Sequence, residues 1–90
     1  MGAWRLEFTT VAESDLAKLD RSLRRQVIDR LDWLTENFEN IMPIPLHAAW
    51  KGYYKLRVGD WRVAYSFSLP RETIRVGMID HRTKIYKRRP

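Results

Sequence analysis

Trp4, Leu6 and Phe8 alternate with polar neighbours in the segment AWRLEFT, the period-2 signature of a strand with one buried face. Thr9 or Thr10 then offers a helix N-cap, and Glu13 stands three residues after Thr10, a capping-box spacing. The pattern predicts a short helix running to about Leu19 that buries Val11, Leu16 and Leu19. Asp20 is the next N-cap. From Leu23 onward, Val27, Ile28, Leu31, Leu34 and Phe38 fall in one stripe at the helical period, so a long amphipathic helix follows. Trp33 lies off that stripe on the opposite flank. It either covers neighbouring surface or belongs to a partner-binding patch.

Pro43 and Pro45 in IMPIPLHAAW end any helix, and the segment reads as a connecting loop. His47 within it is read as structural. Three strand-like runs follow at 53–58, 61–68 and 73–79, the last two joined by the turn SLPRET. The tail HRTKIYKRRP ends in a basic cluster and is expected to fray. The order is β-α-α-β-β-β in one domain over residues 1–90. It predicts an α+β fold with a helical hairpin on one face of a small, mostly antiparallel sheet.

Gly59-Asp60 suits a two-residue hairpin turn with glycine first, as type II′ prefers. Register follows: Val58 faces Trp61, Arg57 faces Arg62, Leu56 faces Val63, Lys55 faces Ala64 and Tyr54 faces Tyr65. Alternation then separates two faces. Tyr54, Leu56, Val58, Trp61, Val63, Tyr65 and Phe67 belong under the helices. Tyr53, Lys55, Arg57, Arg62, Ala64 and Ser66 form the opposite face, expected to be basic and open. In the next strand Ile74, Val76 and Met78 are assigned to the core, and Arg75, Gly77 and His81 to the opposite parity. Gly77 in a strand would permit close approach of a ligand.

Charge changes this picture. The net charge is +6, unevenly spread. Residues 1–45 carry six Lys/Arg against eight Asp/Glu, a net −2; residues 46–90 carry eleven against three, a net +8. Such a second half points to an anionic partner: RNA, DNA or an acidic protein. Hydrophobic residues make up 44%, enough for one compact core. No apolar run approaches the roughly 20 residues of a membrane helix, and MGAWRLEF lacks a signal-peptide layout. The chain has no cysteine, which excludes disulfides and thiolate metal sites. A cytoplasmic location is the expectation, with no membrane, no cofactor and no metal cluster.

Arg57 opposite Arg62 is the feature that stability does not explain. Like charges across a strand pair destabilise a sheet by about 0.2–1 kcal/mol. Two guanidiniums side by side make sense around an anion, and phosphate matches their geometry. Ala64 and Ser66 are small and would leave room for it. Tyr53 either stacks a base or lies flat on the sheet. Lys51 and Arg75 extend the RNA-binding surface. No carboxylate is placed on the basic face by this reading.

YYKLRVGDWRVAY, the preceding PLHAAWKG and the closing IDHRTKIY resemble the RelE/ParE superfamily of bacterial and archaeal toxins, over nearly the whole chain. The resemblance implies the toxin half of a type II toxin–antitoxin pair. Its RelE branch cuts mRNA in the ribosomal A site without a metal, and its ParE branch poisons DNA gyrase. Lys55 and Arg62 match the strand lysine and the arginine after the turn, Arg57 a further basic residue of that strand, and Tyr86 the tyrosine near the chain end. Tyr53 stands where some RelE members have a second lysine. Either His81 or Arg82 fills the last basic position.

The favoured function implied by this resemblance is a ribosome-dependent mRNA endonuclease. The 2′-hydroxyl would attack the adjacent phosphate, giving a 2′,3′-cyclic phosphate and a 5′-hydroxyl. Arg62, with Arg57 or Arg82, would stabilise the developing charge. His81 is the side-chain type that titrates near neutrality. Lys55, crowded by Arg57 and Arg62, is a candidate base, and Tyr86 would orient the 2′-hydroxyl or stack on a base. The alternatives are a gyrase poison and a non-catalytic RNA-binding relic. The partners implied are the ribosome, its mRNA and a cognate antitoxin, expected near Trp33 or the sheet edge.

Overall fold

A computed structural model of the chain describes residues 3–90; Met1 and Gly2, at the head of MGAWRLEF, lie outside the described residues. The elements are β1 (Arg5–Phe8), α1 (Thr10–Ala17), α2 (Arg21–Asn37), β2 (Ile44–Pro45), β3 (Tyr54–Val58), β4 (Trp61–Ser68) and β5 (Thr73–His81). Short 3₁₀ turns occupy Phe38–Asn40, Ala48–Trp50 and Ile85–Lys87. The strands form one five-stranded sheet in the order β1-β5-β4-β3-β2, with β1 parallel to β5 and the other pairs antiparallel. This is the expected α+β architecture with one added edge strand. β2 was hidden in the proline segment. Pro45 is tolerated because an edge strand has one side on which a missing N–H breaks no ladder bond.

Thr9, not Thr10, caps α1: its side chain accepts the Ala12 amide. Glu13 is therefore one residue too far along for a capping box. Val11 is exposed, contrary to expectation, while Ala12 and Asp15 form the buried side of α1. Asp20 caps α2 as expected, its Oδ1 accepting the Leu23 amide at 2.8 Å. Val27, Leu31 and Leu34 are fully buried against Leu56, Val63, Ile74 and Val76. Each such side chain stabilises the fold by roughly 1.5–3 kcal/mol. Trp4, Phe38 and Phe67 close one end of this core with ring centroids 4.6 Å (Trp4–Phe38) and 4.8 Å (Phe38–Phe67) apart.

The β3–β4 register is the expected one at all five pairs. Gly59 has φ +60° and Asp60 no positive φ, the pattern of a type II′ turn. The β4–β5 ladder departs from simple alternation. Ala64 pairs with Met78 but Tyr65 with Val76, which leaves Gly77 as the extra residue of a bulge. The bulge is held from the N-cap of α1: Thr9 Oγ1 donates to the Gly77 carbonyl and the Thr9 amide to that of Val76. One inserted residue reverses every later parity. Ile79, not Met78, joins the helix-side core, and His81 moves to the helix side as well.

The second face of the sheet is not open. Leu46, Trp50, Ala64, Met78 and Ile85 form a second buried cluster there, with Tyr53 against it. Ala64 has no exposed surface at all, so it leaves no space for a ligand. Gly77 admits the Tyr53 ring rather than a ligand: a Cβ at Gly77 would stand 3.0 Å from Tyr53 Cε2. The tail does not fray, because Ile85 is 1% exposed and Arg88 is bonded on both sides. His47 is exposed, and among the described residues only its backbone carbonyl is used, by the Trp50 amide. Among the described residues no helix is long and apolar enough to cross a membrane.

Candidate active site

Because the II′ turn sets the register, Arg57 and Arg62 stand directly across from one another, and Asp80 completes the row on β5. The expectation that no carboxylate reaches the basic face is thus wrong, and the Gly77 bulge is the reason. Asp80 is already engaged, however. Its Oδ1 accepts the His81 amide at 2.7 Å and its Oδ2 lies 3.1 Å from Arg88 Nη1.

Two arginines converge on the hairpin turn. Arg62 is half-buried, and its Nη1 donates to the Gly59 carbonyl at 2.8 Å and the Trp61 carbonyl at 2.9 Å. Arg82 is exposed; its amide donates to the Asp60 carbonyl at 2.8 Å and its Nε lies 3.3 Å from Asp60 Oδ1. The turn thus gathers side chains from β4 and from the segment after β5, with Arg57 of β3 beside them. Arg57 itself is exposed.

Lys55 is half-buried in the neighbouring row, paired with Ala64 on one side and Ile44 on the other. Ile85 docks over Ala64 and Met78 in that row, which brings the 3₁₀ turn Ile85–Lys87 onto the same face. Tyr86, the next residue, is 49% exposed at the rim. The face therefore offers Lys55, Arg57, Arg62, Arg82 and Tyr86 around a small apolar floor. Such a rim can hold a phosphodiester by charge-assisted bonds from several directions.

Other expected site residues fall elsewhere. His81 stands across from Trp61, its ring edge-on at 5.5 Å, and its Nδ1 lies 2.9 Å from Thr83 Oγ1. That separates it by parity from Arg62 and leaves Arg82 as the basic residue at the turn. Tyr53 lies on the sheet, edge-to-face with Trp50 at 5.4 Å, rather than free to stack. Arg75 pairs with Ser66, four residues from Arg62 along β4, or about 13 Å at the usual strand rise. Lys51 is exposed in the loop after Ala48–Trp50. Arg75 does not belong to the group at the turn.

Trp33 is 38% exposed, with the Arg30 guanidinium 4.1 Å from its ring centroid. It lines a shallow groove of about 480 Å³ together with Gln26, Asp29, Arg30, Arg57, Val58 and Gly59, and Asp29 is paired with Arg25 at 3.5 Å. β2 pairs only with Tyr54 and Lys55, so the outer edge of β3 is uncovered beyond Lys55. The helix flank and the sheet edge, expected as separate surfaces, are one groove.

Arg88 is the residue that sequence reasoning passed over. Its Nη1 lies 3.1 Å from both Asp15 Oδ2 and Asp80 Oδ2. Burial alone would pull its pKa down; the bonds to Asp15 and Asp80 outweigh that and hold it above the ordinary arginine value. Asp15 also accepts the Ile79 amide at 3.0 Å. Among the described residues no group of three or more His, Asp or Glu side chains is placed to hold a metal ion.

A family model described as the ParE toxin of type II toxin–antitoxin systems, parDE, matches residues 6–86. No curated protein gives a significant match. Among solved structures, the chain is similar to one in the RelBE2 toxin–antitoxin complex of Mycobacterium tuberculosis. Identity is 26%, coverage 90% of this chain and 93% of that one, and the TM-score 0.79. The isolated RelE toxin of Escherichia coli is 21% identical with TM-score 0.74, covering 94% of this chain and 93% of that one. A chain of the archaeal RelE–RelB complex of Pyrococcus horikoshii is 19% identical with TM-score 0.71, covering 90% and 97%.

Proposed function

This chain belongs to the ParE toxin family of type II toxin–antitoxin systems, within the RelE/ParE superfamily, and from that premise we propose that it is a ribosome-dependent endoribonuclease acting on mRNA in the A site. The observation that carries the reading is the convergence of Arg62 and Arg82 on the Gly59–Asp60 turn, with Arg57 alongside. Two guanidiniums face to face suit an anion held between them. A scissile phosphate is the anion this reading assigns to them.

In the proposed reaction the 2′-oxygen attacks phosphorus and the P–O5′ bond breaks. A 2′,3′-cyclic phosphate and a 5′-hydroxyl result. The 2′-proton passes to the Lys55 amine, and Tyr86 orients the 2′-hydroxyl. Arg62 and Arg57 take the charge that develops on the non-bridging oxygens. Arg82 supports the leaving O5′, which takes a proton from water to become the 5′-hydroxyl. The ribosome supplies alignment, which an open and shallow site cannot supply alone.

The test is Arg62→Ala in ribosome-programmed mRNA cleavage. Loss of one preorganised donor predicts a fall of roughly 10²–10³ in rate. Stability falls by roughly 1–3 kcal/mol, above an ordinary surface site, because two carbonyl bonds worth about 0.5–1.5 kcal/mol each are lost. Cleavage at the wild-type rate by the folded variant removes Arg62 from the mechanism. The family description as a ParE toxin favours one second reading, a gyrase poison. Growth arrest with intact mRNA and gyrase-linked DNA breaks would establish that reading instead.

Complexes among the similar structures support a cognate antitoxin as partner. The groove at Trp33 and the free β3 edge fit an amphipathic acidic segment that neutralises Arg30 and Arg57. Contacts mapped in the toxin–antitoxin complex that avoid both Trp33 and Val58 would refute this placement.

A further inference from the structure

Tyr86 occupies a three-residue 3₁₀ turn near the chain end, amid exposed basic residues. Such a turn has little intrinsic stability. Something outside it must hold the tyrosine. Ile85 provides one anchor on the N-terminal side, buried over Ala64 and Met78. Arg88 provides the other, two residues beyond Tyr86. Its single nitrogen Nη1 contacts a carboxylate on α1 and another on β5, each at 3.1 Å. Its carbonyl accepts the Trp50 indole N–H at 3.1 Å. The Arg88 and Lys87 amides close the turn onto Ile85 and Lys84.

The surroundings make this contact matter. A cleft of about 500 Å³ separates α1 from the tail, lined by Lys18, Trp61 and Lys84 as well as by the ion-paired residues. The tail is therefore not packed flush against α1, and Arg88 spans the gap. Asp15 is buried and Arg88 is 31% exposed, so water screens the pair less than it would on open surface. Asp15 is itself fixed by the Ile79 amide, where β5 runs on beyond its β1 neighbour. The hold on the tail is thus referred to the sheet.

We propose that Arg88 is a positioning residue, whose paired contacts with Asp15 and Asp80 hold the Ile85–Lys87 turn so that Tyr86 meets substrate bound on the basic face. The inference rests on the reading of Tyr86 given above. Arg88 touches no substrate and acts through Tyr86. Lys55, Arg57 and Arg62 sit on strands; the one other route by which Arg88 could act, release of Asp80 opposite Arg62, would persist in a Tyr86→Ala background and is separated there. Removing Arg88 therefore lowers kcat and leaves KM for the programmed ribosome nearly unchanged.

The experiment is a double-mutant cycle in full-length protein, read by ribosome-programmed cleavage and by backbone hydrogen exchange. Arg88→Ala is expected to reduce kcat roughly 10–100-fold, the scale of a small misplacement, and to accelerate exchange at the Lys87 and Arg88 amides. In a Tyr86→Ala background it should add almost no further loss. Arg88→Lys, which restores one cation between the carboxylates, should recover most of the rate. Equal losses in both backgrounds, or unchanged exchange, overturn the proposal. If Tyr86→Ala alone has no effect on cleavage, the assignment of Tyr86 fails, while exchange still decides whether Arg88 holds the turn. Should Arg88→Ala not fold, Asp80→Asn keeps the Asp15 contact and must show the same dependence on Tyr86.

Discussion

The two faces of this sheet are covered in different ways. On one, α2 lays Val27, Leu31 and Leu34 across Leu56, Val63, Ile74 and Val76 in a continuous core. On the other, five buried residues drawn from a loop, two strands and the tail form a small cluster under irregular segments. The first face is regular, deep and away from the candidate site. The second is thin, and its rim carries the basic residues. A short strap that closes the second face leaves charged side chains projecting around it, where a helix would have buried or displaced them.

The largest test of this division compares one residue from each face. Leu31→Ala should destabilise the fold by about 2–5 kcal/mol, the range for a buried leucine whose surroundings cannot collapse. Cleavage per folded molecule should survive. Ile85→Ala should lie at the low end, about 2 kcal/mol, because its thin cover can settle, yet it should depress cleavage in the folded protein by releasing Tyr86. Chemical denaturation paired with ribosome-programmed cleavage separates the two. Equal losses of stability with unchanged cleavage in both would erase the distinction between the faces.

Tyr65 tests the helix face by pH. It is 1% exposed, and burial first, with Tyr54 second, raises its pKa from the ordinary 10 to about 12. The phenol is protonated in folded and unfolded chains below about pH 10, so its contribution is fully present there. Between about 10 and 12 the unfolded chain ionises first, and stability falls as pH rises, by about 3 kcal/mol in all. Tyr65→Phe should flatten that part of the denaturation profile between pH 9 and 12. An unchanged alkaline slope would show that this ring is not the group responsible.

Sequence pattern resolved the helix face far better than its opposite, and the reasons are local. Gly59-Asp60 fixes the β3–β4 register, so every side chain in that hairpin could be assigned from one turn. Gly77 defeats the same logic on β5. Ile74, Val76 and Met78 alternate whether or not a residue is inserted, and only Ile79 in the helix-side core betrays the change of parity. Parity errors then placed His81 with Arg62 and hid Asp80. Trp50 and Ile85 were missed as core because each lies in a short stretch without helical or strand period. Arg88 looked like one more charge in a basic tail; its partners Asp15 and Asp80 are distant in sequence. Lys55, Arg57 and Arg62 were legible as one face because a single hairpin carries them, whereas Arg82 joins them only through Asp60.

The smallest effect has the most informative sign. Arg57 and Arg62 remain directly opposed, but Arg62 directs its guanidinium to the turn carbonyls rather than to any carboxylate. Arg57 is exposed and has no ion-pair partner within 4.0 Å among the described residues. If the pair exists to hold an anion, its presence in the free protein should cost stability. Arg57→Thr removes the repulsion and introduces a side chain that favours strands, so the melting temperature should rise, by an amount corresponding to about 0.2–1 kcal/mol. Phosphate added to the wild-type protein should stabilise it more than it does the variant, because only the former retains both guanidiniums. A lower melting temperature for Arg57→Thr would mean that Arg57 supports the sheet through its aliphatic stem. The pairing would then belong to the fold rather than to the ligand, and the basic rim would lose its strongest sign of selection against stability.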